Sequence, residues 1–196
     1  DLRQGAAVPA YLALGVEHLV FGIDHVCFVL LLVYLYPTLR QLLLIVTSFT
    51  LAHSLTLGLA SLGVLTLPGG PVEALIALSI VLLAAEALGR TGARTAPALA
   101  PWKLCFAFGL LHGLGFAGAL ESLGLPPEGT FWALLLFNVG LEPGQLAVAL
   151  SALPLSGILR HFTPRPSARL ASLPPYVLGS VAAFWFVERT ASVFVG

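Results

Sequence analysis

The side chains in this 196-residue sequence with the greatest chemical reach are imidazoles and carboxylates set inside apolar stretches. The densest group lies in Gly15-Val-Glu-His-Leu-Val-Phe-Gly-Ile-Asp-His25, which holds Glu17, His18, Asp24 and His25. Thr47-Ser-Phe-Thr-Leu-Ala-His-Ser-Leu-Thr56 adds His53 and Ser54, and Phe108-Gly-Leu-Leu-His-Gly-Leu-Gly-Phe116 centres on His112. Glu73 and Ser79 lie between these groups, and Phe137-Asn-Val-Gly-Leu-Glu-Pro-Gly-Gln145 supplies Asn138, Glu142 and Gln145. Neutral imidazole combined with carboxylate suits nickel, cobalt or zinc, whereas copper(I) favours the thioethers that a methionine-free chain lacks. No His-Glu-x-x-His occurs, so spacing alone does not make a metal signature.

The elements that position these groups follow from composition. Hydrophobic residues make up 58% of the chain and charged residues 9%, against about 45–50% and about 25% in soluble domains. Mean hydropathy is +0.98. Nine basic and nine acidic residues balance, and no basic run exists to follow a phosphate backbone, which argues against nucleic acid. Apolar runs at 9–36, 41–62, 72–88, 102–120, 131–153 and 174–195 are bounded by Pro37, Pro68-Gly-Gly-Pro71, Pro97 and Pro101, Pro126-Pro127, and the stretch from Pro164 to Pro175. These runs are too long and too little alternating for strands, and a spanning segment must satisfy its backbone internally. The expected fold is therefore all-α: a polytopic bundle of six transmembrane helices forming one transmembrane domain over 1–196.

Arg40, Arg90, Arg94, Lys103, Arg160, Arg165 and Arg169 all fall in the connections after the first, third and fifth runs. The other connections and the termini carry Arg3, Arg189, Glu121 and Glu128. Basic residues stay on the cytoplasmic side, so both termini are expected outside. The absence of methionine even at position 1 points to a processed or trimmed chain, and a removed signal peptide would account for Asp1. Cys27 and Cys105 lie inside apolar runs and read as packing residues.

An ionisable group at mid-membrane costs about 2.5–3.5 kcal/mol even on lenient insertion scales, so each needs a partner or a purpose. In a continuous first helix His18 would sit above His25 and Glu17 above Asp24, a polar face about 10 Å long. With the orientation above, His25, His53, Ser79, His112, Asn138 and Glu142 fall near mid-membrane, and Glu17, His18, Glu73 and Glu188 nearer the outside. The result is a polar funnel that opens outward and ends in a cluster of Asp24, His25, His53 and His112, with His18 as a further metal-handling residue. Glu17, Ser54, Glu73, Asn138, Glu142 and Gln145 are the supporting or pathway residues. Pro143 and its neighbouring glycines predict a kinked or broken fifth helix. Simpler roles are expected elsewhere: Glu188 with Arg189 as a structural pair, Glu86 with Arg90 as a surface pair at i,i+4 spacing, and a solvated His161.

The stretches Gly15 to Phe28, Phe49 to Leu57, Val72 to Ile80, Phe108 to Leu120, Phe137 to Gln145 and Trp185 to Arg189 resemble the HupE/UreJ family of bacterial membrane proteins across nearly the whole chain. By position, the family's Gly-x-x-His and Gly-x-Asp-His pattern falls on Gly15, His18, Gly22, Asp24 and His25; Ala-His-Ser falls on His53 and Ser54, and His-Gly on His112. Members are described as accessory proteins of hydrogenase and urease gene clusters and as secondary transporters of nickel or cobalt. The resemblance implies metal uptake across the bacterial inner membrane.

Two functions compete for the same residues. In a permease, an aquated divalent cation sheds water against Glu17, His18 and Glu73 and rests between Asp24, His25, His53 and His112, with proton exchange as a drive. In an intramembrane zinc hydrolase, three histidines hold zinc, and Asp24, Glu73 or Glu142 serves as general base for a lipid or membrane-anchored peptide substrate. A structural or metal-sensing role without turnover is the third reading. The expected partners are the bilayer and a metal ion, and homo-oligomerisation is left open.

Overall fold

Apolar runs become helices in hydrocarbon because no water is present to satisfy an open backbone. The computed structural model describes residues 2–91, 100–115, 130–162 and 167–195, and the regular structure among them is entirely helical. The described helices are α1 (Leu2–Phe21), α2 (Ile23–Leu35), α3 (Leu39–Ser61), α4 (Gly69–Thr91), α5 (Pro101–Gly115), α6 (Thr130–Phe162) and α7 (Ala168–Val195). Four segments are long and apolar enough to cross a membrane: Leu39–Ser61, Gly69–Arg90, Thr130–Pro154 and Arg169–Val195. The bent pair α1 and α2 makes a fifth if it is one crossing. The chain is a multi-pass membrane protein. Arg94, Glu121, Glu128, Arg165 and the last part of the 102–120 run lie outside the described residues.

The first apolar run is not one straight helix. It breaks at Gly22, and Val8–Phe21 meets Ile23–Leu35 at 71°. Gly22 caps α2 in an extended conformation, φ −73 and ψ 93. A Cβ there would strike the His18 carbonyl and lie 2.9 Å from His25 Nδ1, so the sharp bend depends on the missing side chain. The fifth run behaves in the opposite way, because α6 continues through both Pro143 and Pro154. A proline costs a helix one hydrogen bond and need not break it. The broken helix expected near Pro143 thus occurs at Gly22.

Two connections are also shorter than expected. α4 starts at Gly69, inside the Pro68 to Pro71 turn, because a first turn has no intrahelical use for the N–H that proline lacks. α7 is helical from Ala168 and runs through Pro174 and Pro175.

α2 is the centre of the packing. Phe28, Val29, Leu31 and Leu32 are fully buried, as suits a helix apolar on every side. The other helices follow one another around it through the contacting pairs α1 with α6, α6 with α3, α3 with α5, α5 with α4, and α4 with α7. Glycines bring two of these pairs close. A Cβ on Gly15 would strike the Phe137 carbonyl, and one on Gly140 the Leu12 carbonyl, so α1 and α6 touch backbone to backbone. Gly109 and Gly113 do the same for α5 against Phe49 and His53 of α3. Arg90 joins α4 to the end of α2, with Nε 3.3 Å from Glu86 Oε1, Nη2 3.0 Å from the Tyr36 hydroxyl and Nη1 3.4 Å from the Leu35 carbonyl. The Glu86–Arg90 pair is therefore half-buried and caps α2; it is not a plain surface pair.

Candidate metal centre

The packing brings four histidines from four helices into one place. His18 ends α1, His25 stands in the first turn of α2, His53 lies in α3 and His112 in α5. The bend at Gly22 turns His18 onto His25, with ring centroids 4.8 Å apart, where a straight helix would have held them about 10 Å apart along its axis. His25 is 5.0 Å from His112 and 6.4 Å from His53 between centroids. Ligand atoms of His18, His25 and His53 all lie within 4.8 Å of one another. His25, His53 and His112 are buried, and His53 lies near-parallel to Phe49 and Phe137, with centroids at 6.1 and 6.4 Å.

Hydrogen bonds decide which nitrogen of each ring is available. Asn138 Nδ2 donates to the Leu134 carbonyl at 2.8 Å, so its Oδ1, 3.1 Å from His53 Nδ1, must accept. His53 Nδ1 therefore carries the proton and Nε2 the lone pair. That Nε2 is buried with no hydrogen-bond partner among the described residues. On the other side, the Ser79 hydroxyl donates to the Ile76 carbonyl at 2.7 Å and so accepts from His112 Nε2 at 3.2 Å. His112 Nδ1 is then an acceptor for His25 Nε2 at 3.4 Å. This leaves the lone pair of His25 on Nδ1, the atom beside which Gly22 leaves space. Two backbone carbonyls, one on α6 and one on α4, thus orient His53 and His25 through intermediate side chains, as outer-shell partners do at metal sites.

A partly open cavity of about 270 Å³ leads to the cluster, and its polar lining comes from His18, Asp24, His25, Glu73, His112 and Arg189. Asp24 Oδ2 accepts from Arg189 Nη2 at 2.9 Å, and Arg189 Nη1 donates to the Glu73 carbonyl at 3.2 Å. Arg189 was expected to pair with its neighbour Glu188, which instead is exposed. An arginine inside the 174–195 run needs a countercharge at depth, and only a carboxylate on another helix can supply it. That requirement was the available signal for Asp24.

The supporting residues divide. Asn138 touches His53 directly, and Glu73 lines the cavity with its side chain exposed. Gln145 accepts from Thr50 at 3.0 Å and Glu142 from Thr47 at 2.7 Å, so both extend a polar seam between α3 and α6. Ser54 bonds back to the Thr50 carbonyl of its own helix, and Glu17 is exposed. Cys27 and Cys105 are buried free thiols. His161 has no described side chain.

Neither the curated proteins nor the solved structures contain a match to this chain. The family model described as HupE / UreJ protein matches residues 2–189, which is essentially the whole length. A match of that extent places the Gly22 bend, the imidazole cluster and the Asp24–Arg189 pair inside the family's own boundaries, and the chain belongs to the HupE/UreJ family.

Proposed function

We propose that this protein is a secondary transporter that takes up a divalent transition-metal cation, nickel or cobalt, through the imidazole cluster. The observation that carries this reading is the grouping of ligand atoms from His18, His25 and His53 within 4.8 Å, beside a cavity that His18 and His25 line. Neutral imidazoles bind such ions without the strong charge that would make release slow. Asp24 and Glu73 attract the ion at the mouth, His18, His25 and His53 hold it, and Asn138 and His112 orient the rings. His112 has both nitrogens engaged, by Ser79 and His25, which favours an orienting role over direct ligation.

The hydrolase reading has less support. Its candidate bases are held elsewhere or exposed: Asp24 by Arg189, Glu142 by Thr47, and Glu73 at the surface of the cavity. The proposed topology is one domain with six crossings of the bacterial inner membrane and both termini outside, with the run containing α5 as the sixth crossing.

The test is flux of nickel, cobalt and zinc into proteoliposomes, comparing the parent with His25→Ala and His53→Ala. Saturable flux in the parent, lost in both variants, is expected. No flux, together with stoichiometric zinc that the same variants lose, would transfer the assignment to the hydrolase.

A further inference from the structure

We propose that Arg189 is a tethered competitor of the transported metal: its guanidinium holds Asp24 in the metal-free protein and leaves when a divalent cation takes the carboxylate. This inference rests on the transporter reading above. Arg189 and Asp24 line the same cavity as His18, His25 and His112, so an ion in that cavity meets the pair as well as the histidines. A guanidinium keeps its charge at any working pH, so it cannot make way for a second cation by losing a proton. One carboxylate cannot neutralise both charges at close range, and the arriving ion must displace the side chain.

The Asp24 carboxylate is divided in a way that suits such an exchange. Oδ2 is bound to Arg189 at 2.9 Å, while Oδ1 is buried without a hydrogen-bond partner among the described residues. Oδ1 therefore keeps a lone pair that no protein donor occupies, and movement of the Asp24–Arg189 pair would present it to an ion. Arg189 also has anchors that do not depend on Asp24, namely the Glu73 carbonyl at 3.2 Å and the Trp185 ring at 5.7 Å from its guanidinium carbon. Those contacts give the displaced side chain somewhere to remain. Both partners are partly exposed, at 23% and 22%, so separation opens the pair toward water and leaves no charge stranded in a dry interior. The helix carrying the arginine packs on α4 along one side and leaves most of its surface outside the bundle. Only 11% of the most apolar window of α7 is buried, against 50–56% for the other three clear spans.

A competitor lowers affinity and hastens release, so its removal has a distinctive sign. Equilibrium binding of Ni²⁺ to the purified protein should tighten in Arg189→Gln by about tenfold or more. Arg189→Lys keeps the charge and should stay near the parent. In an Asp24→Asn background, Arg189→Gln should give no further tightening, because the contested carboxylate is gone. A second measurement uses the parent alone, with phenylglyoxal labelling of Arg189 read by mass spectrometry. Ni²⁺ should increase the labelling as the side chain leaves Asp24. Unchanged or weaker Ni²⁺ binding in a folded Arg189→Gln overturns the inference, as does labelling that ignores Ni²⁺. If the parent binds no Ni²⁺, the transporter reading and this inference fall together. If the parent binds and His53→Ala does not, with no tightening in Arg189→Gln, the inference alone falls.

Discussion

The glycine contacts beside His53, in the seam between α3 and α5, differ from the one beside Arg189, in the seam between α4 and α7. Gly109 and Gly113 of α5 lie against the backbone of Phe49 and His53, so the helix that carries His53 cannot yield to an added side chain. Gly70 of α4 faces the Cγ2 of Val193 at 2.9 Å, an exposed side chain near the end of α7, while farther along the same seam Gly179 meets the Ala84 Cβ at 2.8 Å. The first seam holds fully buried His53; the second holds partly exposed Arg189. Rigid backbone contact lies where imidazoles must keep a fixed geometry. Beside the charge that is proposed to move, the contact is with an exposed side chain near a helix end.

The contrast can be broken most forcefully at Gly113. Gly113→Ala places a methyl against the His53 carbonyl and Thr56 Oγ1, with the His53 Cα only 3.0 Å away. Overpacking of this kind costs about 1–3 kcal/mol. The expected outcome is a lower thermal midpoint in detergent together with loss of metal binding, and a variant that retains both would show that the seam is softer than its contacts indicate. Asn138→Leu should act less globally, because it removes only the acceptor that fixes the His53 tautomer. Outer-shell losses of this sort weaken metal affinity by about 10–100-fold. Titration with Ni²⁺ checks it, and parental affinity would remove Asn138 from the site. Gly70→Ala should be nearly silent, within about 0.5 kcal/mol, since Val193 is exposed near the end of α7, where the last turn can shift. A large loss of stability there would make the two seams alike and end the comparison.

Much of this molecule is legible residue by residue. The all-helical membrane character follows from long apolar runs, and the importance of His18, His25, His53 and His112 from the cost of placing imidazoles in hydrocarbon. The break in the first run was harder to see. Gly22 looks like a packing glycine by its spacing from Gly15, while Pro143 carries the more familiar sign of a broken helix. The difference lies in surroundings: α6 lies along α1 with Gly140 against Leu12 and stays continuous, whereas Gly22 leaves room for His25 to turn back toward His18. The Asp24–Arg189 pair spans 165 positions, and local spacing favoured Glu188 as the partner.

What the sequence determined by itself is the solvent and the chemistry: a membrane-spanning helical chain, carrying imidazoles and carboxylates suited to a divalent transition metal. Those follow from residue type and from runs of neighbours, which are local properties. Tertiary structure alone decided which nitrogens of His25, His53 and His112 face their neighbours, which helix breaks, and which carboxylate answers Arg189. Each of those depends on atoms from different helices meeting within hydrogen-bonding distance. Such a meeting is set by how closely glycine-lined backbones approach, and no single segment contains that information.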